Sequence, residues 1–412
     1  MRAKKRWMLL FILFLCMTIL FGCQTQRSVD DTDDYNTTAF SWLGCPGCFA
    51  AVEDGIYFIS GNYLFFMDSS SMKSTPVCYK AGCLHHKETD PTRRPGCNAY
   101  LGVANSMNVS YITAYGEKLY ATLYDLERGI LSLTEMNYDG SSRETIIEDL
   151  NYYNTRSFVC HRGVLYCPGQ ENDMEGNKIS FIDAVDLKQR NISVNRIYAS
   201  NTENLRITKV LPYRDYLFFN EMIDSEDESQ IQQSLVSLHL KKKNTVHRID
   251  DSYSIYGAYE NKLILMKDFR YYCLTIGTEN IEPDERFNSI CELHPNWQCH
   301  PASIDRDIAF VTYYDLEAYD NTGSGMSKEL IVADQEGNEV CVLEDMGWDS
   351  KGAVITKIGD EEYYFQFSRS SEPFELRAYK KSDLLKGIIL PTEVLHVEDY
   401  NKELLGSYAF TK

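Results

Sequence analysis

The chain has 412 residues, 44% of them apolar, and includes 29 Tyr and 19 Phe. That is ample material for a core, with a bias toward strand. The formal net charge of -19 argues against a nucleic-acid partner and against electrostatic adhesion to anionic lipid.

The first residues read as an export signal. Arg2, Lys4, Lys5 and Arg6 form a basic n-region, and an apolar run follows from Trp7 to Phe21. Leu20-Phe21-Gly22-Cys23 resembles a bacterial lipobox. That resemblance implies cleavage before Cys23 and a lipid thioether on its sulfur, and so a protein tethered to the extracytoplasmic face of a bacterial cell membrane. Removing residues 1–22 takes four of the 41 positive charges and leaves 37 against 60 negative, a net of -23. Residues 23–40, with Asp30, Asp31, Asp33 and Asp34, are too poor in apolar groups to fold and read as a flexible tether.

Residues 41–412 read as one β domain built from a repeat. Ala50 to Asp68 is an apolar-aromatic strand, a tight turn and a second apolar-aromatic strand. The pattern returns six times, with markers at Tyr57, Tyr120, Tyr166, Phe218, Ile264, Phe310 and Tyr364. Their steps are 63, 46, 52, 46, 46 and 54 residues, which suits four-stranded blades. Asp139-Gly140 and Glu336-Gly337-Asn338 supply the positive-φ residues that later hairpins in the units need. The predicted fold is an all-β propeller, with seven four-stranded blades; six or eight also fit the spacing. Ser41 to Phe49 and Leu404 to Phe410 are both candidates to close the ring. No run has helical periodicity over ten residues, and Lys381 to Ile388 reads as a loop or single turn.

Asp139-Gly-Ser within LTEMNYDGSS resembles the turn of TolB-type propeller repeats. The wider pattern is similar to lipoproteins of Clostridia-type bacteria that carry a propeller domain of unknown function. In those a cysteine-rich segment follows the first hairpin and ends Cys-Asn-Ala-Tyr, as Cys97-Asn98-Ala99-Tyr100 does here. The resemblance implies a propeller and brings no activity with it.

The first step is long because of an insertion at residues 76–100, which carries Cys78, Cys83, His85, His86 and Cys97. Three Cys and a His in a Pro/Gly-rich loop are the donor types of a tetrahedral structural zinc site. In an exported protein disulfides compete with that reading, and free thiols are a third state. Upstream, Cys45-Pro-Gly-Cys48 reads as a structural loop, since no βαβ context makes it a redox pair. A second cluster, Cys291, His294, Cys299 and His300, suggests either a metal site or a local Cys291–Cys299 disulfide. Cys160 and Cys167 read as cross-strand neighbours or buried small hydrophobes, and Cys273 and Cys341 as core.

No nucleophile elbow, zincin motif, Walker loop or dinucleotide fingerprint occurs. The predicted function is a ligand-binding or scaffolding module. A protein or glycan partner would meet the loops at one mouth of the channel, first of all the cysteine-rich loop and residues 291–300. The alternative is an enzyme on glycans or another cell-surface polymer, which needs two mouth carboxylates roughly 5–10 Å apart.

Overall fold

The computed structural model describes residues 49–60, 62–102, 111–125, 128–189, 191–223, 232–242, 245–249, 252–294, 296–304, 307–317, 329–344, 354–358, 361–367 and 374–397. The leader, Cys23, the tether, Cys45, Cys48 and the segment Leu404 to Phe410 lie outside these residues.

The first sheet consists of β1 (Phe49–Val52), β2 (Gly55–Ser60), β3 (Tyr63–Asp68) and β4 (Ser74–Pro76). The second consists of β5 (Ile112–Tyr115), β6 (Lys118–Asp125), β7 (Ile130–Asn137) and β8 (Glu144–Ile147). Five more sheets follow, over residues 159–200, 205–249, 254–283, 297–344 and 354–397. All seven have four strands paired in chain order, each strand antiparallel to the next. Every marker residue falls on the second strand of its sheet. Turn chemistry explains the tight returns. Glu260-Asn261 and Asp268-Phe269 hold positive φ at both positions, the geometry that matches strand twist in a two-residue hairpin.

A four-stranded sheet with two apolar faces is stable only when both are covered. Here each face packs on the next sheet. One cluster joins sheets one and two through Tyr57, Leu64, Ile112 and Leu119. Others join two to three, three to four, four to five, five to six and six to seven. The seventh joins the last sheet to the first, setting Phe365, Leu376 and Ala378 against Ile56, Phe58 and Phe65. Phe49 stacks on Phe365 with centroids 6.2 Å apart. The ring is therefore closed by side-chain packing. Among the described residues no strand from one end of the chain completes the sheet at the other. First strands lie beside first strands: β1 neighbours both β5 and Val354–Ile358. They line the axis, while fourth strands such as β8 and Ser193–Ser200 are largely exposed at the rim. This arrangement is a β-propeller.

Two details depart from the sequence reading. A nine-residue helix, α1 (Glu285–Leu293), connects the fifth and sixth sheets. Asp284 caps it by accepting from the Arg286 N–H, and it buries Phe287 and Ile290. The Lys381–Leu384 segment is a single helical turn, in keeping with the sequence reading. Cys160 pairs across the ladder with Leu165, not with Cys167. Both thiols face one cluster between sheets two and three.

Candidate metal centre

The insertion does not follow the first sheet; it interrupts its outermost strand. β4 pairs with β3 so that Phe65 faces Pro76. Continuing that register would set Cys78 opposite Tyr63. Tyr100 takes that place instead, and the Leu64 N–H donates to the Ala99 carbonyl at 2.8 Å. The chain from Cys78 to Ala99 is thus an excursion from one position of a strand. Its ends are held together at its base, which places Cys78 and Cys97 side by side.

Inside the excursion two short 3-10 turns, His85–Lys87 and Arg94–Gly96, reverse the chain. Polar ties replace a core: Lys80 Nζ donates to the Gly96 carbonyl at 2.7 Å, and Arg94 Nε to the Glu88 carbonyl at 3.1 Å. His85 sits at φ +53, a left-handed conformation uncommon for a non-glycine residue. It aims its ring at the cysteines, while His86 turns to the Phe65 ring, 5.6 Å between centroids.

The result is convergence. One donor atom each from Cys78, Cys83, His85 and Cys97 lies within 4.8 Å of every other. Cys97 Sγ and His85 Nδ1 are 3.6 Å apart. A zinc tetrahedron with Zn–S near 2.3 Å and Zn–N near 2.0–2.1 Å has edges of about 3.5–3.8 Å. The donor set and its spacing fit such an ion.

The thiols are also prepared electrostatically. Burial pushes Cys78 up, but N–H donors from Lys80 and Asn98 and contacts with Cys97 and Cys83 outweigh it, so this thiol sits below its ordinary pKa. Cys97 is pushed up to about 12, by burial first and then by its neighbours Cys83 and Cys78. A second thiolate beside a first is disfavoured here by like-charge repulsion. Cys78, Cys83 and Cys97 would bind a divalent cation as thiolates, whose mutual repulsion its charge would offset.

Sequence reasoning missed the residues that brace the excursion from sheet two. Arg143 precedes β8 and donates through Nη2 to the carbonyls of Asn98 and, at 3.0 Å, Tyr100. Asn98 Nδ2 donates to the Asp139 carbonyl at 3.4 Å. Gly140, at φ +73, lies so close that a Cβ there would meet the Asn98 carbonyl oxygen at 2.4 Å. The Asp139-Gly140 turn was a visible signal, but nothing in the sequence ties it to residue 98.

The second cysteine-histidine cluster is built differently. Cys291 lies on α1 and Cys299 on the strand Trp297–Ile304, with their thiols in hydrogen-bonding contact. That contact, then burial, drives Cys299 far up. His294 stacks on Trp297 at 3.7 Å, Trp297 on Tyr313 at 3.4 Å, and His294 pairs with Glu339. His300 lies in the strand opposite Thr312. Among the described residues, the 78–97 group alone gathers three or more potential ligands, and all nine described cysteines are free thiols. A polar cavity of about 520 Å³ lies between the fifth and sixth sheets, lined by Tyr259, Glu260, Lys262, Arg286, Asp307 and Glu336 among others.

No protein-family model matches the sequence, and no curated protein matches it either. Solved structures do. A prolyl endopeptidase matches with a TM-score of 0.51 at 11% identity, over 87% of this chain and 50% of its own. The β-propeller domain of the Trilobed protease from Pyrococcus furiosus matches at 0.49 and 9% identity, over 88% of this chain and 99% of its own. A TolB-like protein from Agrobacterium tumefaciens gives 0.31 and 12% identity, over 68% and 80%. The chain spans half the length of the prolyl endopeptidase, and at such identities the likeness concerns the fold alone. By fold the protein belongs to the class of β-propellers.

Proposed function

We propose that this protein is a lipid-anchored extracytoplasmic β-propeller, each of its seven sheets one blade, that acts as a binding or scaffolding module. Cys23 carries the anchor, and a structural zinc ion on Cys78, Cys83, His85 and Cys97 holds the excursion in shape. The zinc supplies folding energy and no reaction.

One observation supports a binder over an enzyme that works through buried carboxylates. Every buried carboxylate among the described residues is committed to a structural partner. Glu88 accepts from the Asp90 N–H and pairs with Arg93. Asp183 accepts from Tyr153 Oη at 2.8 Å and Arg196 Nε at 3.0 Å. Glu221 is held by Arg248 at 2.6 Å and by Tyr198. Asp284 caps α1 and accepts from the Cys273 thiol at 2.9 Å. An acid–base pair needs one carboxyl free to exchange protons with substrate.

The test is incubation of the lipid-free domain (Cys23→Ala, residues 23–412) with purified bacterial cell-wall glycan. Cosedimentation without release of reducing ends supports the binder. Release of reducing ends overturns it in favour of the enzyme. The anchor is tested separately in cells: metabolic labelling with a clickable fatty acid marks the wild type and not Cys23→Ala, and equal labelling removes the lipid reading.

A further inference from the structure

We infer that Arg143 is the charge partner of the zinc centre, and that through it the loaded excursion of the first sheet is fastened to the second. This rests on the zinc reading above and goes beyond it. It assigns a role to a residue on another blade, and it makes the metal a clamp between blades as well as a staple within one loop.

The argument begins with charge. Three thiolates and a neutral imidazole around a divalent cation leave one net negative charge. Cys78 and Cys97, two of its sulfurs, are buried. A charge in such a place is stabilised by a nearby cation and by N–H donors. The N–H groups of Lys80 and Asn98 serve Cys78, and that of Ala99 serves Cys97. The cation reaching in from outside the excursion is Arg143, whose guanidinium bonds the carbonyls on either side of Ala99, directly after the ligand Cys97.

Geometry makes Arg143 more than a distant charge. Its Nη2 spans the carbonyls of Asn98 and Tyr100, the residues just after the last ligand. Its Nε donates to the Gly140 carbonyl at 3.1 Å, which fixes the guanidinium against its own turn. The strap 98–100 therefore lies between the metal ligands and the 139–143 turn. Anything that orders Cys97 orders the strap, and the strap is what the turn grips. Lys80, a cation within the excursion two residues from Cys78, points its ammonium at the Gly96 carbonyl from an exposed position. There a charge is more strongly screened.

Two measurements on the folded mature domain test this. The first is zinc affinity by competition with a chromophoric chelator. The wild type should hold one zinc per chain. Arg143→Gln should weaken binding about tenfold or more, as loss of an outer-shell partner does. Arg143→Lys, which keeps the charge, should fall between the two. Unchanged affinity in Arg143→Gln overturns this inference while leaving the zinc reading intact. A wild type that takes up no zinc removes both. The second needs no variant: amide hydrogen exchange before and after chelation of the wild type. Faster exchange in residues 139–143 along with 78–101 supports the clamp. Faster exchange confined to 78–98 overturns it.

Discussion

Two stretches of this chain, 78–97 and 291–300, contain the same residue types, yet they do different things. In the first, a strand is interrupted, the two ends are pinned by the ladder, and four donors turn inward. In the second, a helix and a strand cross, two thiols touch, and the histidine is taken up by a ring stack and a carboxylate. Composition is shared; backbone direction is not. A metal site needs four vectors aimed at one point, and only the interrupted strand provides the closed base for that.

The largest expected effect is on the first stretch. Cys97→Ser or Cys78→Ser should abolish zinc binding and lower stability on the order of 3–5 kcal/mol. The check is urea unfolding with and without chelator: the wild type should lose stability on chelation and the variants should not respond. Equal stability of wild type and variants in zinc would erase the difference between the two regions. Thiol counting sharpens the same contrast. Under native conditions with zinc, Cys78, Cys83 and Cys97 should resist alkylation, and chelation should release them together, while Cys291 and Cys299 should not respond to chelator.

In the second stretch, Cys299→Ser should cost about 1–3 kcal/mol, because it buries a hydroxyl in an apolar cluster. That loss should be independent of metal. A dependence on zinc would mean that the two clusters are not physically distinct.

A partly buried ionisable group outside both clusters serves as a control. Lys209 lies on the first strand of the fourth sheet at φ +51, with its ammonium 4.4 Å from the Tyr256 ring centroid. Burial lowers its pKa to about 8. The unfolded chain holds this proton up to its ordinary value near 10.4. Between those two values the unfolded state binds more protons, so stability rises with pH across that window and is lowest below it. Lys209→Met should flatten this rise and stabilise the protein at neutral pH by about 1 kcal/mol, well under the full shift because the side chain keeps some solvent contact. A rise of the same size in the variant would assign the effect to other groups.

The ring was legible because its signal is repeated. All seven markers, six of them aromatic and the fifth Ile264, sit on second strands, since one pattern of strand, turn and strand recurs with the period of a blade. The insertion was legible as a break in that rhythm. Its place inside a strand was not, because the Tyr63–Tyr100 pairing joins residues with no local pattern between them. The choice of His85 over His86 rests on one left-handed backbone angle. Arg143 was invisible because it acts from another sheet. Helix α1 was missed because it is short and its buried stripe includes Arg286, which blurs the apolar period.

The smallest effect belongs to the stack. His294, Trp297 and Tyr313 lie nearly parallel, with planes 8° and 6° apart. Stacked aromatic pairs contribute about 0.5–1.5 kcal/mol beyond area burial, and a partly exposed histidine–glutamate pair adds little. His294→Ala should therefore cost about 1 kcal/mol or less, with zinc content unchanged. His294→Phe should recover most of that loss, because it keeps the ring and gives up only the Glu339 contact. If His294→Ala instead lowered zinc content, His294 would be a ligand in solution, and the contrast between an inward-facing and a stacked histidine would fail at its second term.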